Sequence, residues 1–144
     1  MTLADILRNK GNNVLTIGPN ATLDDVVQSL VQNNCGSLVV VEGNSNRRML
    51  GIITERDILR ACAAKKGPLD QIRVADVMSA KPITGLASDT IGAAMGLMTQ
   101  KRIRHLPILQ DGELVGMISI GDLVKTQHDQ FAVENHYMKT YIQS

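Results

Sequence analysis

The second half of the chain is a degenerate copy of the first. "VLTIGPNATLDDVVQSLVQNNCGSLVVV", from Val14, lies over "PITGLASDTIGAAMGLMTQKRIRHLPIL", from Pro82. Thr16 then falls on Thr84, Thr22 on Thr90, Leu23 on Ile91, Gln32 on Gln100 and Leu38 on Leu106, all at one offset. The match resumes at a slightly shorter offset with "MLGIITERDILR", from Met49, over "LVGMISIGDLVK", from Leu114, which sets Asp57 on Asp122. The change of offset falls in the polar stretch Glu42 to Arg48, where a loop can absorb it. Two copies of one unit predict a pseudo-two-fold molecule, and such a molecule builds its sites between the copies.

Within each copy the hydrophobic pattern changes period several times. Thr22 and Thr90 read as helix N-caps, with Asp24 and Asp25 near the positive end of the first helix. The following helices place Leu23, Val26, Val27 and Leu30, and Ile91, Ala94, Met95 and Met98, on apolar faces. Buried strands "SLVVV" and "HLPIL" come next, a turn is marked by Asp111-Gly112, and "MLGIIT" and "LVGMIS" pair back antiparallel. Each unit closes with a helix, from about Glu55 to Lys65 and from about Ile120 onward. The unit is strand–helix–strand–strand–helix. "TLADILRNKG" reads as a short amphipathic helix stopped by Gly11, and "RVADVMSAKP" as its counterpart ended by Pro82, each leading the chain into a repeat. The last helix carries Leu123, Val124, His128, Phe131, Tyr137, Met138, Tyr141 and Ile142 at mixed three- and four-residue steps. Such a stripe, running past the repeat, calls for a covering surface, either a second subunit or its own repeat.

Composition narrows the partners. Aromatic residues make up 2% of the chain, with one Phe and no Trp, which removes the stacking platforms of single-strand nucleic-acid modules. A net charge of +1 is too small for general attraction to a phosphate backbone, so nucleic acid is not expected as a partner. Cys35 and Cys62 lack metal-ligand spacing and read as packing residues. With no secretory leader or long apolar span, a reducing cytoplasm is the expected compartment and no membrane is expected.

The doubled unit and the paired endings "GIITERD" and "GMISIGD" resemble the cystathionine β-synthase (CBS) domain pair. So do "RHLPIL", "DGELVGMIS" and the Gly-x-x-Ser/Thr-x-x-Asp spacing, repeated in register. The resemblance runs from Val14 to about Lys125. It implies an α+β fold of two tandem β-α-β-β-α repeats, a free-standing bacterial-type (Bateman-type) module. The expected divisions are a lead helix and linker over 1–13, repeat 1 over 14–66, a linker with a short helix over 67–81, repeat 2 over 82–126 and a helical extension over 127–144. The implied function is regulatory: an adenosine nucleotide (AMP, ADP, ATP or an NAD-type dinucleotide) bound between the repeats as ligand, with no required cofactor. A homodimer and a regulated protein partner are implied as well.

Thr54-Glu55-Arg56-Asp57 and Ser119-Ile120-Gly121-Asp122 each end a strand on a hydroxyl and place an Asp in the next helical turn. Helix capping alone accounts for that spacing. The same geometry suits a nucleotide, with amides and hydroxyl for phosphate and a carboxylate for two ribose hydroxyls. The resemblance assigns Asp to ribose and Ser/Thr to phosphate, and has each cleft take its Asp from one repeat and its base-contacting strand from the other. On that rule the Asp122 cleft uses Thr16, Cys35 and Gly36 together with Arg104, His105, Met117 and Ser119. The Asp57 cleft uses Thr84 and Ile103 with Ile52, Thr54 and Arg56. Arg102, Arg104 and His105 stand where the first repeat has Asn34, Gly36 and Ser37, so the Asp122 cleft is expected to hold nucleotide more tightly. Walker, His-Glu-x-x-His, Gly-x-Ser-x-Gly and Cys-x-x-Cys motifs are absent, so no enzyme and no metal are expected. A ligand-free dimerisation scaffold is the alternative.

Overall fold

The computed structural model describes residues 1–11, 13–43 and 48–143; the side chains of Tyr137 and of 139–143 are outside the described set. The elements run α1 (Leu3–Lys10), β1 (Thr16–Ile17), α2 (Leu23–Asn33), β2 (Ser37–Val41), β3 (Met49–Thr54) and α3 (Glu55–Ala63). Two 3-10 turns, Leu69–Gln71 and Val74–Asp76, precede β4 (Gly85–Leu86), α4 (Ile91–Lys101), β5 (His105–Gln110), β6 (Glu113–Ser119) and α5 (Ile120–Gln143).

The strands form two three-stranded sheets of identical topology, β1-β2-β3 and β4-β5-β6. In each, the short first strand pairs parallel with the second and the second pairs antiparallel with the third. The α+β fold of two tandem repeats is thus the one the sequence predicts. Thr22 and Thr90 both cap: the Thr22 hydroxyl accepts from the Asp25 amide at 3.1 Å, and that of Thr90 from the Ala93 amide at 3.1 Å. Asn34 and Arg102 end α2 and α4 in the same left-handed conformation, so the repeat extends to the backbone.

The lead segments do more than carry the chain into the repeats. The segments that lead into the repeats are exchanged between them. In α1, Leu3, Ile6 and Leu7 are buried with Ile91, Met98, Leu106, Ile108, Ile118 and Leu123, the core of the second repeat. Ile72 and Val74 join Leu23, Val26, Leu38, Ile53 and Ile58 in the core of the first. Backbone bonds fix both: the Leu3 amide donates to the Asp89 carbonyl at 2.9 Å, and the Val74 amide to the Ala21 carbonyl at 2.8 Å. The counterpart of α1 is a pair of 3-10 turns rather than a helix, and the second ends well before Pro82. The physical cause is that each two-faced sheet leaves one apolar flank uncovered by its own helices, and the lead segment of the opposite repeat lies within reach.

The exchange explains the glycine of the repeated Gly-x-x-Ser/Thr-x-x-Asp spacing. A Cβ on Gly51 would sit 2.4 Å from the Ser79 carbonyl oxygen, and one on Gly116 would sit 2.5 Å from Leu7 Cδ2. Only hydrogen fits at Gly51, against backbone, while a Cβ at Gly116 would require the Leu7 side chain to shift. A third cluster, Val39, Val41 and Leu114 with Val14, Met49, Leu109 and Met117 against it, joins the two sheets. Helix α5 runs beyond the second repeat, and Val124, Phe131, Val133 and Met138 on it are exposed. The side chains of Tyr137, Tyr141 and Ile142, also in the expected stripe, lie outside the described residues.

Candidate functional site

Strand β3 passes directly into α3 at Thr54, and β6 into α5 at Ser119. Both junctions are capping boxes. Asp57 Oδ2 accepts from the Thr54 amide at 2.9 Å, while the Thr54 hydroxyl accepts from the Asp57 amide at 3.4 Å. Asp122 Oδ2 likewise accepts from the Ser119 amide at 2.8 Å, and the Ser119 hydroxyl accepts from the Asp122 amide at 3.1 Å. The pairings Ser37 with Thr54 and His105 with Ser119 set each strand entrance beside its cap. The first helical amides then close the gap: Glu55 donates to the Gly36 carbonyl at 3.1 Å and Ile120 to the Arg104 carbonyl at 2.9 Å. Capping occupies Oδ2 of both Asp57 and Asp122; Oδ1 takes none of these bonds.

A cleft of about 790 Å³ opens at the Asp57 junction. The first repeat contributes Gly36, Ile52, Thr54, Arg56 and Asp57, and the second contributes Ile83, Ile103, Arg104 and His105, with Ser79, Lys81 and Pro82 of the connecting segment between them. Asp57 is 8% exposed. Around this single buried carboxylate stand Arg56, Arg60, Lys81, Lys101, Arg102 and Arg104, opposed only by Glu55. The cleft therefore has a strongly cationic rim, an acidic interior group and an aliphatic wall. Burial holds the His105 imidazole below its usual pKa; Glu55 acts to raise it and Arg104 to lower it further.

The Asp122 junction differs in one respect that the sequence reading missed. Lys10, the last residue of α1, donates from Nζ to Asp122 Oδ2 at 2.6 Å and to the Met117 carbonyl at 2.7 Å. Burial works to raise the Asp122 pKa. The Lys10 hydrogen bond, the Ser119 amide and the Lys10 charge outweigh it and hold the carboxyl below its usual value.

The structure gathers Ile52, Thr54, Arg56, Asp57 and Ile103 in one cleft. Thr84 is not among its lining residues; the neighbouring Ile83 is. Gly36, Arg104 and His105, expected at Asp122, border the Asp57 cleft, while Arg104 and His105 also adjoin the Asp122 junction through the Ile120 amide and the pairing with Ser119. The two strand entrances face one another, so closely that a Cβ on Gly36 would lie 3.3 Å from the His105 ring. Both therefore bound the same space, and Arg102 and Arg104, which suggested a tighter Asp122 cleft, line the Asp57 cleft. Thr16 lies half-buried in β1, paired with Val39, and Cys35 packs against the first core. Met117, Ser119 and Asp122 meet at Lys10. Sequence reasoning missed Lys10, Lys81, Arg60 and Lys101. Lys10 and Lys81 become visible as a pair only once the lead segments are superposed. Among the described residues no group of three or more His, Cys, Asp or Glu forms a metal site, and no helix is long and apolar enough to cross a membrane.

Comparison with known proteins agrees with this fold. The CBS domain family model matches residues 2–64 and 74–129. The chain is 36% identical to the CBS domain-containing protein CBSX3, mitochondrial, of Arabidopsis thaliana, over 99% of this chain and 72% of that protein. Among solved structures it superposes on the CBS-domain containing protein ATU1752 from Agrobacterium tumefaciens with a TM-score of 0.82 at 33% identity, covering 88% of this chain and 92% of that one. It also superposes on the CBS domain protein PAE2072 from Pyrobaculum aerophilum, complexed with AMP, with a TM-score of 0.75 at 30% identity, covering 85% and 89%. The swapped lead segments fall inside or beside both family matches, as their place in the cores requires. The chain belongs to the CBS domain family: it is a tandem pair of CBS repeats, a regulatory module rather than an enzyme.

Proposed function

We propose that the chain binds an adenosine nucleotide in the Asp57 cleft and reports its presence to a protein partner. The observation that carries this reading is one buried carboxylate, Asp57, set between two strand entrances beneath a rim of arginines and lysines. Asp57 Oδ1, outside the cap, accepts from the ribose hydroxyls. The Thr54 hydroxyl with Arg56 and Arg104 receives phosphate, since forked guanidinium donors match its oxygens. Ile52, Ile83 and Ile103 flank the base, which aliphatic walls and backbone groups hold in the absence of an aromatic platform. The AMP bound to the Pyrobaculum relative supports the ligand class. Occupancy acts by favouring the arrangement of the two repeats to which the ligand binds better.

Calorimetric titration with AMP, ADP, ATP and NAD tests this. Hydrogen bonds to a charged group contribute roughly 1.5–3 kcal/mol each. Asp57→Ala should therefore weaken the best ligand by about 10- to 100-fold. Asp57→Asn keeps an oxygen for the Thr54 amide and separates loss of charge from loss of the cap. Unchanged affinity in both variants would remove Asp57 from the site. The capping boxes alone also satisfy a ligand-free scaffold, and silence of the wild-type protein toward all four nucleotides would favour that reading.

A second copy of the chain is the partner inferred for α5. Val124, Phe131 and Met138 recur one heptad apart and are exposed, the spacing of a helix seam.

A further inference from the structure

The pseudo-symmetry gives the two clefts a lysine each and uses them differently. Thr2 bridges to Thr90, and Arg73 bridges to Thr22. Because Thr22 and Thr90 are matched caps, Thr2 and Arg73 are matched positions. Advancing equally from each brings Lys10 opposite Lys81. Leu7 against Gly116 and Met78 against Gly51 lie on the same superposition. Lys81 lies along the wall of the Asp57 cleft and, among the described residues, makes no hydrogen bond or ion pair with Asp57. Lys10 bonds both Asp122 Oδ2 and the Met117 carbonyl.

The surroundings are unequal too. Arg56, Arg102 and Arg104 of the Asp57 cleft correspond to Gly121, Asn34 and Gly36. Lys10 is the cation that bonds the Asp122 carboxylate, and it is already committed to it. We propose that Lys10 decides which cleft takes ligand: its ammonium is bound to the Asp122 carboxylate, at Oδ2, and its charge competes with a ligand's hydroxyl donors for that group. Ligand enters there only by freeing the C-terminal end of α1. This rests on the reading of the paired Asp carboxylates as ribose acceptors. The contact is half-exposed, with side-chain accessibilities of 38% for Lys10 and 27% for Asp122, so it can open without unfolding α1. The other residues of α1 that matter to the core, Leu3, Ile6 and Leu7, need not move for it to do so.

The test compares wild type with Lys10→Met, which keeps the apolar stem and removes the charge. Calorimetry with AMP should give one site per chain in wild type. In Lys10→Met it should give a second site, tightened by about tenfold or more and abolished by adding Asp122→Asn. Two equal sites in wild type, or one unaltered site in Lys10→Met, overturns the proposal. Failure of the nucleotide reading is recognised separately, as absence of AMP binding in both proteins. The latch is then judged without ligand, by NMR titration of the Asp122 carboxyl. Its pKa should rise toward the ordinary carboxylate value in Lys10→Met, and an unmoved titration overturns the contact.

Discussion

At the scale of single residues, His105 and Asp122 tie the site to pH. His105 borders the Asp57 cleft, yet it also feels Lys10 and Asp122 across the shared wall. Its folded pKa lies below the unfolded value of about 6.5, so on acidification the unfolded chain takes up the proton first. The stability it contributes is complete above that value and is lost as pH falls through the folded pKa. Chemical denaturation between about pH 7.5 and 5 should show falling stability, with part of the fall removed in His105→Gln. A profile identical in the two proteins would mean that the ring is not desolvated. Asp122 acts in a lower window. Its contribution is present above about 3.9 and lost as pH falls through its depressed folded value. The Thr and Ser caps, the two aspartates and the arginines were all legible as residue types. That Arg102 and Arg104 line the Asp57 cleft was not, because a strand entrance belongs to whichever cavity it faces and sequence spacing does not encode that.

Among the elements, the exchanged lead segments decide most. Periodicity revealed α1, with its apolar positions Leu3, Ile6 and Leu7 and its stop at Gly11. Periodicity could not reveal the partner, since an apolar stripe fits any matching flank. Leu3 is fully buried in the core of the second repeat. Leu3→Ala should cost about 2–5 kcal/mol of global stability, although the residue lies at the opposite end of the chain from that core. A loss below about 1 kcal/mol would mean that α1 is detachable. Gly116→Ala makes the complementary test from the other side, since its methyl would meet Leu7. The Leu7 side chain must then shift and α1 packs less tightly, visible as faster amide exchange along α1. The 3-10 character of the second lead segment was missed because "VAD" and "LDQ" carry the same signals as a short helix. Each is a single turn, too short for helical cooperativity.

For the whole molecule, pseudo-symmetry places two equivalent strand–helix junctions, at Asp57 and Asp122, and sequence divergence makes them unlike. The duplication was plain from the matched stretches, and with it the fold. Two features belong to the assembled chain alone: the charged rim around Asp57 and the lysine bonded to Asp122. Assembly beyond one chain turns on α5. Light scattering should show self-association that Phe131→Glu weakens, because a charge in an apolar seam is costly; an unchanged mass would remove α5 from the interface. The most direct measurement of the account is amide chemical-shift mapping of the wild-type protein on addition of AMP. Shifts should centre on Gly36, Thr54, Arg56, Ile83 and Ile103, between the two repeats. Shifts confined to Met117, Ser119 and Asp122, or none at any nucleotide concentration, would contradict a ligand held by Asp57.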